Sequence, residues 1–382
     1  MTEVTLESLS SRLNAWLFEE ALPLWWQSGA DRERGGFHEL LALDGVAPSA
    51  PRRARVQARQ SYSYAKAGDM GWTGPWRQAA PHGLDYLISK FRSPDSEFST
   101  LVSIDGTVLD PSTLLYDQAF ALLAAAEIVN VLPERSDLRD MAHGLVRRIA
   151  AKRRHPAGGF SESSHRPFQA NAHMHFLEAM LSWRDVESGV IWDELADEIV
   201  ALCLSHFIDP HGGFLREFFD ASWQPAADSG GHIVEPGHQF EWAWLLERWS
   251  RLHRDTGAHQ AAMGLYESGC RGVDRDRDAA IDELSDDFLV TRGRARLWPQ
   301  TERMKAALFL SQTAPDGRRR ELLGEGLRAG KCLLRYLATP KPGLWRDKLD
   351  VDGTFAVEPA PASSFYHIVC GIDVLNAVLA PR

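Results

Sequence analysis

Helical periodicity runs through this chain from end to end, and it is the feature that most limits what the chain can fold into. At the start, Leu6, Leu9, Leu13, Trp16, Leu17 and Leu24 fall on one stripe of a helix. Comparable segments recur between breaks rich in Gly, Pro and Asp, at 5–27, 52–70, 76–93, 113–129, 136–152, 168–183, 190–207, 236–253, 257–272, 300–313, 318–338 and 363–379. Nothing comparable marks a long strand. Twelve helices make six antiparallel pairs, and the breaks carry a repeated signal: Gly35-Gly36-Phe37, Gly158-Gly159-Phe160 and Gly212-Gly213-Phe214 each precede an even-numbered segment. The last two lie about one helical hairpin apart and the first two about twice that, as expected of tandem repeats with a degenerate copy. The turns Ile104–Thr107 and Val351–Thr354 predict small hairpins in the loops. An all-α closed ring of six helical hairpins follows, with alternate helices lining the inside.

Composition narrows the function classes. The 382 residues carry 42 Lys and Arg against 52 Asp and Glu, a formal charge of −10, and 44% are hydrophobic. That is the profile of a globular protein with a large core, not of a disordered or fibrous chain. No apolar run approaches the roughly 18 residues of a bilayer span, and Met1–Leu6 leads into no signal sequence, so a cytoplasmic protein without a membrane partner is expected. Cys203, Cys270, Cys332 and Cys370 are widely spaced, which suggests neither a zinc site nor a disulfide framework. Basic residues cluster in Pro51–Arg59 and Arg318–Arg320, but the acidic balance disfavours a nucleic-acid surface. No Pro-, Gly- or Ser-rich linker divides the chain, so residues 1–382 are read as one catalytic domain, as a monomer or homodimer. The 13 Trp, 17 Phe and 7 Tyr suggest aromatic-lined cavities, and sugars are common ligands of such cavities.

Unusual polar residues sit among apolar ones on the even-numbered segments: Arg59 and Tyr62, Tyr116 and Asp117, His175 and Glu178, His238 and Glu241, Glu302, and His367. A closed ring gathers these around one central cavity. His175 and Glu178, and again His238 and Glu241, share a helix face at i, i+3, whereas His173 and His175 are about 200° apart and only one faces inward. These pairs with His367 supply five potential metal ligands, yet helical-bundle carboxylate sites use the reverse order, Glu-x-x-His, and no metal is expected. Burial and a carboxylate partner move an imidazole pKa in opposite directions, which suits His367 to base chemistry near neutrality. Arg59 needs a carboxylate or a ligand oxygen, with Asp117 or a glutamate as candidate partner. Trp298, Trp345 and Trp242 are the aromatics placed nearest a sugar. A rival reading is a glycoside hydrolase using Glu241 and Glu302; another is a non-catalytic repeat protein.

Taken together, Gln57-Ala58-Arg59, Leu115–Phe120, Met174–Ala179, Glu235–Trp242, Arg296–Glu302 and Phe365-Tyr366-His367 resemble the N-acylglucosamine 2-epimerase superfamily, which also contains cellobiose 2-epimerases and mannose isomerases. The resemblance spans residues 57 to 367 in the family's order. It implies an (α/α)6 barrel, the architecture the repeat count reaches independently. It also implies cofactor-free and metal-free proton transfer at C2 of an open-chain sugar through a cis-enediol or enediolate. Carried over to this sequence, His238 and His367 are the acid–base pair, and His175 assists ring opening or binds a hydroxyl. Arg59 binds the oxygen on which charge develops, Glu241 orients His238 or binds a hydroxyl, and Trp298 and Trp345 stack on the ring. Tyr116, Glu178 and Glu302 complete the expected substrate-binding set. Similarity around Gln57–Tyr64 and Asn171–Glu178 favours an isomerase of D-mannose and D-fructose over 2-epimerisation. Leu323-Gly324-Glu325-Gly326 lacks the remaining P-loop residues, which favours an unphosphorylated sugar.

Overall fold

The computed structural model describes residues 4–380. Twelve helices follow in order: α1 (Leu6–Ala15, continued through Trp16–Ala21, Leu22–Leu24 and Trp25–Gly29), α2 (Ala54–Asp69), α3 (Trp76–Lys90), α4 (Leu115–Val131), α5 (Ser136–Arg153), α6 (Ala170–Val186), α7 (Val190–Leu202, continued by Cys203–Phe207), α8 (Pro236–His253), α9 (Thr256–Arg271), α10 (Leu297–Leu310), α11 (Asp316–Leu337) and α12 (Phe365–Leu379). They match the twelve segments of the sequence pattern. The even-numbered helices pack side by side in an inner ring that closes where α12 meets α2, and the odd-numbered helices cover it from outside. The fold is an (α/α)6 barrel. Burial follows from this layering: α4 is buried from Leu115 to Val129 on nearly every face, whereas α5 buries only the stripe through Leu138, Leu145 and Ile149.

Local signals set the helix ends. Thr5 and Ser8 form a capping box on α1, Asp255 caps α9 through the Ala258 N–H, and Pro236 takes the first turn of α8, where a missing N–H costs nothing. Ala362–Leu379 is apolar and long enough by composition to cross a bilayer, contrary to the reading of the sequence. It is apolar because it includes α12, an inner helix packed against α2 and α10.

After each odd-numbered helix the chain makes a tight reversal closed by a β-bridge or a two-residue ladder. The pairs are Ala30 with Phe37, Arg92 with Phe98, Arg154 with Phe160, Ile208 with Leu215, Asp274 with Ala279, and Leu349 with Phe355. Three of these are the Gly-Gly-Phe breaks. Gly36 and Gly159 take φ of +71° and +70°, and a Cβ on Gly36 would lie 2.6 Å from Gln57 Oε1. Both turns read as hairpins form: Leu101–Val102 pairs with Val108–Asp110 around Asp105-Gly106, and Leu349 with Phe355 around Asp352-Gly353.

A buried side-chain amide on the following inner helix clamps four of these reversals. Gln57 Oε1 accepts the Phe37 N–H at 2.7 Å, while its Nε2 donates to the Phe37 carbonyl at 2.9 Å. Gln118 does the same to Phe98, Gln239 to Leu215 and Gln300 to Ala280. In the third repeat His173 stands in, its Nε2 accepting the Phe160 N–H at 2.9 Å and its Nδ1 bonded to the Gln169 carbonyl. Each clamp satisfies backbone groups that have no water to turn to. Replacing Gln57 by Leu strands both the N–H and the carbonyl of Phe37. At about 1–3 kcal/mol for each buried unsatisfied group, the variant should lose roughly 2–6 kcal/mol in urea unfolding, whereas Gln78→Leu, on the exposed face of α3, should change stability by less than about 0.5 kcal/mol.

Candidate active site

All six inner helices begin at the same end of the ring, and their first turns surround a cavity of about 250 Å³. Arg59 comes from α2, Tyr116 from α4, Asn171 and His175 from α6, His238 and Glu241 from α8, Trp298 from α10 and His367 from α12. Glu235, Arg296, Asp347, Ser363 and Ser364 complete the wall from the preceding loops. Six helix N-termini thus face one space, a setting that favours negative charge developing within it. The clamps hold these side chains in place, since Arg59, Tyr116, His175, His238 and Trp298 each stand one or two residues from a clamping Gln or His.

Two histidines flank Trp298, whose ring centre lies 5.2 Å from that of His238 and 5.4 Å from that of His367. Gly237 makes this close fit possible, because a Cβ there would sit 2.3 Å from the Trp298 ring. Both imidazoles are bonded through Nδ1 to a buried glutamate, His238 to Glu217 at 2.9 Å and His367 to Glu302 at 2.8 Å. That leaves each Nε2 to address the cavity. Their charge states nevertheless differ. Burial works against charge on His238, but Glu217 and Glu235 outweigh it and hold the imidazolium to about 10. On His367, burial reinforced by the Arg59 and Lys305 cations pushes the pKa well below 6.5. At neutral pH one imidazole is thus charged and the other neutral, a difference suited to proton transfer.

His175 turns inward, and His173 serves as a clamp, so one of the two faces the cavity as their spacing requires. Burial, partly offset by Glu178, lowers His175 to about 4. Its Nδ1 lies 3.4 Å from Glu178 and 3.7 Å from Glu241. Burial and the neighbouring Glu302 carboxylate raise Glu241 well above the ordinary carboxylate range, which favours its neutral form, and its Oε1 has no hydrogen-bond partner. Arg59 donates to the Ser363 carbonyl at 3.1 Å and the Tyr116 hydroxyl at 2.6 Å, and its guanidinium lies 4.1 Å from the Phe120 ring centre. Its Nε is unpartnered. Asp117 pairs instead with Arg55 at 3.0 Å, which leaves Arg59 available to a ligand oxygen.

Five sequence assignments need correction. Trp345 is fully buried behind the inner ring, stacked on Trp25 at 4.8 Å and on Phe365 at 5.4 Å, and does not line the cavity. Trp242 is likewise core, against Phe207. Glu302 and Glu178 lie beneath the cavity wall: Glu302 is occupied by His367 and Lys305, Glu178 by His175 and the Tyr366 hydroxyl. Glu241 does not orient His238; Glu217 does, from the loop after the fourth reversal. Helical spacing finds i, i+3 partners but gives no sign of a loop residue such as Glu217, and Lys305 reads as an ordinary helical lysine. Asn171 was visible only as a neighbour of the His173 and His175 motif.

Oxygen and nitrogen atoms of Glu241, Glu302 and His367 converge within 4.8 Å. This set fits a divalent cation poorly, because the Lys305 ammonium already sits 2.6 Å from Glu302. The same burial removes Glu302 from a hydrolase role, which requires two carboxyl groups open to the sugar and about 5–9.5 Å apart. A second cavity of about 370 Å³ opens at the other ends of the inner helices. Its charges are largely paired, Lys66 with Glu127 and Arg248 with Asp185.

Residues 35–371 match the family described as N-acylglucosamine 2-epimerase (GlcNAc 2-epimerase). The chain is 45% identical over 97% of both chains to a mannose-6-phosphate isomerase of Rhizobium meliloti. It is 29% identical over 82% of both to a D-mannose isomerase of Thermobifida fusca. Its fold superposes on a cellobiose 2-epimerase from Spirochaeta thermophila with a TM-score of 0.87, at 21% identity and 98% coverage of each chain.

The charge on His238 has a measurable consequence. Folding lifts its pKa above the ordinary 6.5, so the pairing stabilises the fold fully below 6.5, and that contribution is lost as pH rises through about 10. In an NMR titration the His238 ring should remain charged through neutral pH, and Glu217→Gln should bring its midpoint down by about 1–3 units.

Proposed function

The chain belongs to the N-acylglucosamine 2-epimerase family, and its relatives are sugar isomerases and epimerases; on that premise we propose that it is a metal-free aldose–ketose isomerase of an unphosphorylated sugar, interconverting D-mannose and D-fructose. The observation that carries this reading is the pair of His–Glu dyads in opposite charge states on either side of Trp298.

An open-chain aldose lying along Trp298 presents C1 and C2 between the two Nε2 atoms. Neutral His367 takes the C2 proton, while the His238 imidazolium gives its proton to the carbonyl oxygen, forming a cis-enediol. His238 then takes the proton of the C2 hydroxyl and His367 returns its proton to C1, so the product is the ketose and both rings regain their starting states. Arg59 and the six helix N-termini stabilise the negative charge that develops on the oxygens. His175 and neutral Glu241 hold hydroxyl groups, and Tyr116 fixes Arg59. Delivery of a proton to the opposite face of C2 would give an epimer, the reaction named for the cellobiose 2-epimerase relatives.

Charge in the cavity supports an unphosphorylated substrate. Arg296 is held by Asp282 and Glu235, and Glu235, Glu241 and Asp347 also line the wall, so Arg59 is the lining cation without a carboxylate partner among the described residues. A dianionic phosphate would find one uncommitted cation. The second reading, a sugar 6-phosphate, is favoured by the 45% identical relative, a mannose-6-phosphate isomerase by name.

The test is proton NMR in deuterated water, after chelator treatment, with mannose, mannose 6-phosphate, glucose and cellobiose. Mannose should become fructose labelled at C1. Turnover of the phosphate alone would overturn the substrate assignment, label at C2 of an epimeric aldose would make the protein an epimerase, and dependence on restored metal would remove the mechanism. His367→Ala and His238→Ala should each lower kcat by about 10²–10⁴. The kcat/KM profile should be a broad bell, with an acidic limb well below the ordinary histidine range as His367 charges and a basic limb near 10 as His238 loses its proton.

A further inference from the structure

The two dyads share a design, a buried glutamate bonded to Nδ1 of a buried histidine, yet by the acid–base reading above they do opposite work. A carboxylate alone raises an imidazole's basicity, which is what Glu217 does to His238. Among the described residues Glu217 meets no lysine or arginine, and its Oε1 has no hydrogen-bond partner. Glu302 differs in one respect. Its Oε1 accepts the His367 Nδ1–H, and its Oε2 lies 2.6 Å from the ammonium of Lys305, one turn further along α10. Both side chains are completely shielded from solvent, and the ammonium rests 4.0 Å from the Trp244 ring centre. A lysine that deep is not a solubility feature, since a buried charge persists only where partners hold it.

The geometry points to Lys305 as the positioning residue that makes the dyads unequal: its ammonium cancels the field of Glu302 at His367, so that Glu302 fixes the ring's orientation without charging it. The other groups around His367 do not do this alone. Arg59 on α2 adds a positive charge but is shared with Tyr116 and Ser363. From α6 come neutral His175 and the Glu178 carboxylate, from α8 the neutral acid Glu241, and from α12 itself Tyr366, which donates to Glu178, and the thiol of Cys370. Against Glu302 and Glu178 the balancing cations are Arg59, Lys305 and, across Trp298, the His238 imidazolium, and of these only Lys305 bears directly on the carboxylate that holds the ring.

The test reads the rings rather than turnover. In the intact protein at pH 7, nitrogen-15 NMR of the histidines should show His367 neutral with its proton on Nδ1 and His238 as imidazolium; equal charge states in the two would overturn the inference before any variant is made. In Lys305→Met the His367 midpoint should rise by at least about one pH unit, and the acidic limb of any kcat/KM profile should rise with it. Lys305→Met/Glu302→Gln, which removes both charges, should return the midpoint toward its original value. An unmoved midpoint in a folded Lys305→Met protein, with activity lost equally at every pH, would mean that Lys305 only fills space. A shifted midpoint in a protein that interconverts no sugar would uphold the inference and remove the isomerase reading, whereas turnover with no shift would do the reverse.

Discussion

Everything in this barrel depends on the bond pair between a buried glutamine amide and the backbone of the reversal before its helix. Six helical hairpins stack into a ring by burying apolar stripes, but burial is non-directional and leaves the rotation and height of each inner helix loosely set. The clamps remove that freedom. Gln57, Gln118, Gln239 and Gln300 each tie an inner helix to its own reversal through two bonds, and His173 does so through one. Groups next to them in the chain inherit that precision: Arg59, Tyr116, His175, His238 and Trp298 are aimed at one space because their neighbours are fixed. Five of the six repeats that supply the site carry such a reference point.

The second constraint is electrostatic and follows from the first. Bringing Glu178, Glu241, Glu302, His175, His238 and His367 together away from water places many ionisable groups where each unpaired charge is costly. The arrangement resolves this by neutralising some groups and pairing the rest. Glu241 is pushed toward its neutral form, His175 and His367 are pushed toward theirs, Glu217 pairs with charged His238, and Lys305 pairs with Glu302. The surviving asymmetry, one charged imidazole facing one neutral one, is also what proton transfer requires. Stability and chemistry here make the same demand.

The twelve helices were legible because each is long and periodic, and a ring of six pairs leaves few other ways to bury them. Only three of the six reversals could be read as repeats. Those three use Gly-Gly-Phe, whereas the second and fifth place Ser96 and Asp278 at positive φ, which hides the same backbone shape from a search for glycine. His175, His238, Glu241, Arg59, Tyr116 and Trp298 were legible as polar or aromatic residues on inner helices, and the structure brings them together. Trp345 was not, because an indole fits a core as well as a sugar platform, and local sequence does not distinguish the two. Glu217 and Lys305 were missed for the opposite reason: their importance comes from contacts across the fold. The glutamines of the motifs, beside the groups expected to do chemistry, prove to be structural.

The central claim is that a sugar's C1 and C2 lie between the Nε2 atoms of His238 and His367, over Trp298. A crystal structure with an open-chain alditol such as mannitol tests it most directly. The account predicts the alditol in the cavity at the N-terminal ends of the inner helices, with C1 and C2 between the two imidazoles and an oxygen on Arg59. An alditol seated in the cavity at the opposite end, or held away from either histidine, would contradict it.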